Sequence, residues 1–170
     1  MVRMGELAAS RTHGDVLVSL GLGSCIGVAI IDPHTRATGL AHIMLPATTP
    51  GTRSASAKFA DEGVPALLDA LTSLGGRRSR LEAVLVGGAA MFAIKRPSES
   101  GLDIGARNAD AVHAALKAHA IPVRATAIGG STGRTIRIYV AEARVTVKEA
   151  GGKEGDLWRS RVPVRSQVPA

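Results

Sequence analysis

"VSLGLGSCIGVAIIDPHTRATGLAHIML", residues 18–45, contains two aliphatic runs separated by a short polar break. The runs at 26–32 and 37–45 are short, rich in β-branched and aliphatic residues, and bounded by glycine, as strands are. Between them, Asp32, Pro33, His34 and Thr35 carry strong turn chemistry, with Pro33 fixing its own φ. The stretch therefore predicts an antiparallel hairpin. Pairing Asp32 with Ala37 sets Ile26 opposite Ile43, which brings His42 back toward the glycine-rich start of the hairpin and toward Cys25.

Outward from this hairpin, a further strand is predicted at 15–20. After a Pro-, Thr- and Ser-rich loop, Ala57, Ala60, Val64, Leu67, Leu68, Leu71 and Leu74 form one apolar stripe at helical spacing, ended by Gly75 and Gly76. Pro65 inside that stripe predicts a kink or a broken first turn. Residues 80–88 read as a buried strand, 90–105 as a loop and 105–120 as a second helix. Strands follow at 121–130 and 135–150, the latter a hairpin turning near Ala141 and Glu142. Strands and helices do not alternate regularly, so the fold class is α+β: a sandwich of mixed, largely antiparallel β-sheet packed with two main helices. Residues 1–150 form the single domain, and 151–170, rich in Gly, Pro and charge, are expected to be a flexible basic tail.

Composition excludes several function classes. The chain of 170 residues is 45% hydrophobic and 21% charged, with only Phe59, Phe92, Tyr139 and Trp158 as aromatics, so its core is aliphatic. The net charge of +7 is scattered, and the stacking aromatics of single-strand binders are nearly absent, which argues against nucleic acid. No apolar run reaches the length of a membrane span, and the N-terminus lacks the apolar core of a signal peptide. One cysteine permits no intramolecular disulfide. The expected setting is the cytoplasm, without membrane insertion. No histidine, cysteine or carboxylate spacing points to a metal, and no cofactor is expected.

Gly21 and Gly23 suggest a dinucleotide loop, but Ile26 occupies the third glycine position and a strand follows in place of a helix. "GGSTGRT" at 129–135 lacks the lysine and spacing of a P-loop. The thiol is the better candidate. Glycines before Cys25 allow a tight turn and leave N–H groups at Gly23 and Ser24 free to hold an oxyanion. His42 is the candidate base, and Ser19 the third member that orients the imidazole or a water. A small buried thiol and a satisfied core histidine are the plain structural alternative.

Together, "LGLGSCIGVAIID", "GLAHIMLP", "KFADEGV", "GGAAMF" and "IGARNADAV", colinear over residues 14–149, resemble the chemoreceptor glutamine deamidases, the CheD family. The resemblance implies a cysteine hydrolase that converts glutamines on the cytoplasmic helices of chemotaxis receptors to glutamate through a thioester, without a cofactor. It implies Cys25 as nucleophile and His42 as its partner. The family's third position is usually threonine, where this chain has Ser19. An acidic residue is expected before the glycine pair of "TAIGG", where Ala127 and Ile128 stand. Asn108 of "IGARN" is expected to make local backbone bonds at the start of a helix. The resemblance also implies docking by a CheC-type phosphatase. The alternatives are a weakly catalytic or non-catalytic binding module for receptors or that phosphatase, and a glutamyl methyl-ester hydrolase on the same receptors.

Overall fold

The predicted hairpin forms in the predicted register. Strands β3 (Ile26–Ile31) and β4 (Thr38–Ile43) pair antiparallel with Ile26 opposite Ile43 and Gly27 opposite His42. The Asp32 N–H donates to the Ala37 carbonyl at 2.8 Å. The structure is a computed structural model and describes residues 1–48, 56–90 and 104–163. The other described elements are β1 (Leu7–Ser10), β2 (Val16–Leu22), α1 (Ala60–Ser73), β5 (Glu82–Gly87), α2 (Ile104–Ala118), β6 (Val123–Ile128), β7 (Arg134–Tyr139), β8 (Arg144–Glu149) and β9 (Glu154–Arg159).

Two sheets and a helical layer make up the α+β sandwich. The first sheet has the order β1-β4-β3-β5-β6, antiparallel except for the β5–β6 pair, which α2 connects as a crossover. The second has the order β2-β7-β8-β9 and is antiparallel throughout. Ile26, Val28 and Ile30 face α1 and α2, packing with Val64, Leu67, Leu68, Val112 and Leu116. Ala29, Ile31, Leu40, Val84 and Val86 face the second sheet and meet Ile136, Ile138 and Val145. Both faces of β3 and β4 are covered, so every residue of these strands is buried, and their sequences read as continuous apolar runs.

The hairpin turn is fixed by Asp32, which is fully buried. Its carboxylate accepts the N–H groups of His34 at 2.9 Å and Arg77 at 3.0 Å, and the Arg80 guanidinium at 2.9 Å. Burial alone would raise its pKa. Bonds from the Arg77 and His34 backbones, the Arg80 side chain and the Thr35 backbone outweigh that and hold it below the usual carboxylate range.

Three expectations change. The helix α1 begins at Ala60 and runs unbroken through Pro65. It starts later than the apolar stripe, so Pro65 lies near its N-terminus, where the missing N–H frees only the carbonyl of exposed Asp61. β1 was not legible as a strand; it completes the first sheet along β4. Residues 154–159, expected within a flexible tail, form β9 on the edge of the second sheet. Their charges are cross-strand partners: Glu154 bonds Arg137 at 2.7 Å, Asp156 bonds Arg144 at 3.0 Å, and Trp158 packs on the inter-sheet core. Residues 164–170 of the expected tail and most of the expected loop at 90–105 lie outside the described residues.

Because the Asp32 carboxylate is stabilised ionised in the fold, its contribution is present above the ordinary carboxylate pKa and is lost as pH falls through its depressed native value. The isosteric D32N change is expected to lower stability by about 1–3 kcal/mol at neutral pH. Thermal melts of both proteins across pH should show that gap closing as the solution is acidified.

Candidate active site

Ser19, Cys25 and His42 come from three places that the two sheets bring together. Ser19 is on β2 of the second sheet, His42 on β4 of the first, and Cys25 on the turn by which the chain crosses between them. A register irregularity between Ser19 and Leu22, with Gly21 at φ 64°, bends β2 at this point. Ser19 is fully buried, and its Oγ lies 2.8 Å from His42 Nδ1. The His42 backbone is fixed on its other side, its N–H donating to Glu6 and its carbonyl accepting from Gly5, each at 3.0 Å.

Cys25 packs at the margin of the inter-sheet cluster and is half-buried. It precedes Ile26 in the pairing of β3 with β4, one step diagonally from the Gly27–His42 pair. His42 is 3% exposed, and its Nε2 makes no hydrogen bond among the described residues. The ring thus has one nitrogen occupied by Ser19 and the other without a hydrogen-bond partner among the described residues. No hydrogen bond joins sulfur and imidazole in this state.

The turn is held from behind. The Gly23 carbonyl accepts the Ala89 N–H at 2.8 Å, the Cys25 carbonyl accepts the Gly88 N–H at 2.9 Å, and the Ser24 carbonyl accepts Asn108 Nδ2 at 2.9 Å. Gly87 makes this closeness possible. It has φ 117°, and a Cβ there would fall 2.2 Å from the Cys25 carbonyl oxygen. The N–H groups of Gly23, Ser24 and Cys25 donate no hydrogen bond among the described residues.

Burial pushes the Cys25 thiol pKa up. It pushes the His42 imidazole down, with a backbone interaction at Val2 offsetting part of that. Both shifts favour the neutral form of each group. Among the described residues no group of three His, Cys, Asp or Glu side chains could hold a metal ion. No helix among them is long and apolar enough to cross a membrane.

Asn108 was misjudged from sequence. It makes no local cap; its Nδ2 spans to Ser24 and, at 2.8 Å, to the Met44 carbonyl just past β4. The signal was its position: Asn108, Val112 and Leu116 recur every four residues on the buried stripe of α2, where an unpaired polar group is costly.

With this geometry in view, the comparisons with known proteins are decisive. The family model described as CheD chemotactic sensory transduction matches residues 44–149. A probable chemoreceptor glutamine deamidase CheD of Archaeoglobus fulgidus is 40% identical over 158 residues, covering 93% of this chain and 96% of its own. The chain belongs to the CheD family. The Symbiobacterium thermophilum relative, also a probable chemoreceptor glutamine deamidase CheD, is 42% identical over 92% of this chain and 95% of its own. The chemoreceptor glutamine deamidase CheD of Thermotoga maritima is 37% identical over 91% and 94%. The family model begins beyond Ser19, Cys25 and His42, whereas the relatives align over nearly the whole chain.

Two measurements check the neutral pair. The His42 ring, followed by nitrogen NMR, should titrate below the ordinary imidazole value of 6.5. Alkylation of Cys25 by iodoacetamide should be slow at neutral pH and climb only on the alkaline side of a free thiol. A rate plateau in mild acid would instead reveal a thiolate–imidazolium pair.

Proposed function

We propose that this protein is a chemoreceptor glutamine deamidase that hydrolyses the side-chain amide of receptor glutamines through a thioester on Cys25. The substrate class rests on the relatives, which carry that activity in their names at 37–42% identity over nearly their whole lengths. The chemistry rests on one observation above the others: His42 is held at Nδ1 by Ser19 with Nε2 unpartnered among the described residues, on a strand whose register sets it diagonal to the chain's single cysteine.

For His42 to act as a base, Nε2 must be unprotonated, so Nδ1–H donates to Ser19 Oγ. Cys25 Sγ attacks the glutamine amide carbon as its proton passes to Nε2. The carbonyl electron pair moves to oxygen, and free N–H groups in the turn, from Gly23 and Ser24 to Cys25, receive the oxyanion. Collapse breaks the carbon–nitrogen bond, and the imidazolium proton leaves with ammonia, giving the thioester. Water, deprotonated by His42, attacks that thioester; the carbon–sulfur bond breaks and glutamate is released. Because thiol and imidazole rest neutral, proton transfer accompanies the attack and does not precede it.

The substrate is a cytoplasmic receptor helix, so the protein works in the cytoplasm. A CheC-type phosphatase is the second partner of this reading, tested by co-elution of the purified pair. Mass spectrometry of a receptor cytoplasmic fragment is the direct test of activity. Wild-type protein should convert glutamine to glutamate with release of ammonia, and C25A should not. H42A should lose on the order of a hundredfold or more in kcat. S19T should stay near wild type, while S19A should fall roughly tenfold through a misaligned ring. Full turnover by C25A would remove the mechanism.

A further inference from the structure

Asn108 is the one fully buried polar side chain of α2, and neither of its contacts is to its own helix. Its Nδ2 has two protons, and two carbonyls take them: Ser24, immediately before Cys25, and Met44, two residues after His42. Those two acceptors fix the amide orientation, since turning it over would set Oδ1 against both carbonyl oxygens. Oδ1 itself is buried without a hydrogen-bond partner among the described residues, while Nδ2 holds both carbonyls. Close approach of the helix permits this reach, for a Cβ on Gly105 would lie 2.4 Å from the Gly88 carbonyl oxygen.

A trans peptide is planar, and its N–H points opposite to its C=O. Holding the Ser24 carbonyl toward α2 therefore aims the Cys25 N–H away from the helix. That N–H has no acceptor among the described residues. The same nitrogen lies on the nucleophile's own residue, where an oxyanion formed by Sγ attack would be within its reach. Asn108 also ties the Cys25 turn to the end of the strand that carries His42.

We infer that Asn108 is a positioning residue: by clamping the Ser24 and Met44 carbonyls it orients the Cys25 N–H as an oxyanion donor and sets the distance between nucleophile and base. The inference rests on the hydrolase reading above and assigns its regulation of geometry to a residue outside the Ser19–Cys25–His42 set. It separates two properties that the same thiol displays. Alkylation by iodoacetamide creates no oxyanion. Addition of Sγ to an aldehyde does: the sulfur–carbon bond forms, the carbonyl pair moves to oxygen, and the thiol proton passes to His42.

The test uses the full chain with a receptor peptide carrying an aldehyde in place of the glutamine carboxamide. N108A removes both donors, and N108L keeps much of the volume while donating nothing. Each should bind the aldehyde about tenfold or more weakly than wild type and lose a comparable factor in kcat. The iodoacetamide rate should stay within about twofold, since alkylation builds no charge on oxygen. Unchanged aldehyde affinity, or equal loss of both reactivities, would overturn the inference, the latter by showing simple disruption of the site. If neither variant folds, amide NMR of the wild-type protein decides. The Cys25 N–H should move downfield when the aldehyde adduct forms, and no adduct or no movement refutes the role. Failure of the hydrolase reading looks different, because turnover by C25A bears on that reading while the aldehyde and NMR measurements need no turnover.

Discussion

The N–H groups of Ser24 and Cys25 share their peptide planes with the carbonyls of Gly23 and Ser24, so what holds the carbonyls of this turn also aims its amides. The carbonyls of Gly23, Ser24 and Cys25 are each taken by a donor from behind: two loop amides following β5 and one side chain from α2. Peptide planarity does the rest. The glycines at 87, 88 and 105 matter because they let these donors come within hydrogen-bond distance of a backbone that any side chain would hold away. Loop, strand and helix are thus subordinate to the orientation of a few peptide planes.

The second constraint is dielectric. Ser19 and His42 lie between two sheets whose facing side chains are aliphatic, and Cys25 sits at the margin of the same layer. Such a setting disfavours separated charge, so the imidazole and the thiol both rest uncharged. In the proposed reaction the cost of creating charge is met as it develops, by the hydroxyl of Ser19 and the amides of the turn.

Much of this was readable in the residues. The turn Asp32–Thr35 set the hairpin register, and register alone brought Cys25 and His42 to one end of the sheet. The hairpin turning near Ala141 is likewise borne out by β7 and β8. What was not readable depended on distant partners. Nothing local says that β2 leaves its neighbour β3 and pairs with β7, more than a hundred residues away. β9 looked like a solvated tail because its charges have meaning only opposite Arg137 and Arg144. Asn108 resembled a helix-start residue for the same reason: its acceptors lie 84 and 64 positions away in the chain.

The site draws on residues from β2 through α2, and the closure of β2 onto β7 adds the last layer. Ser19, which contacts His42, sits on a strand whose sheet partner β7 is synthesised long after both. A chain cut short before β7 would therefore keep the cysteine and lose the sheet that holds Ser19.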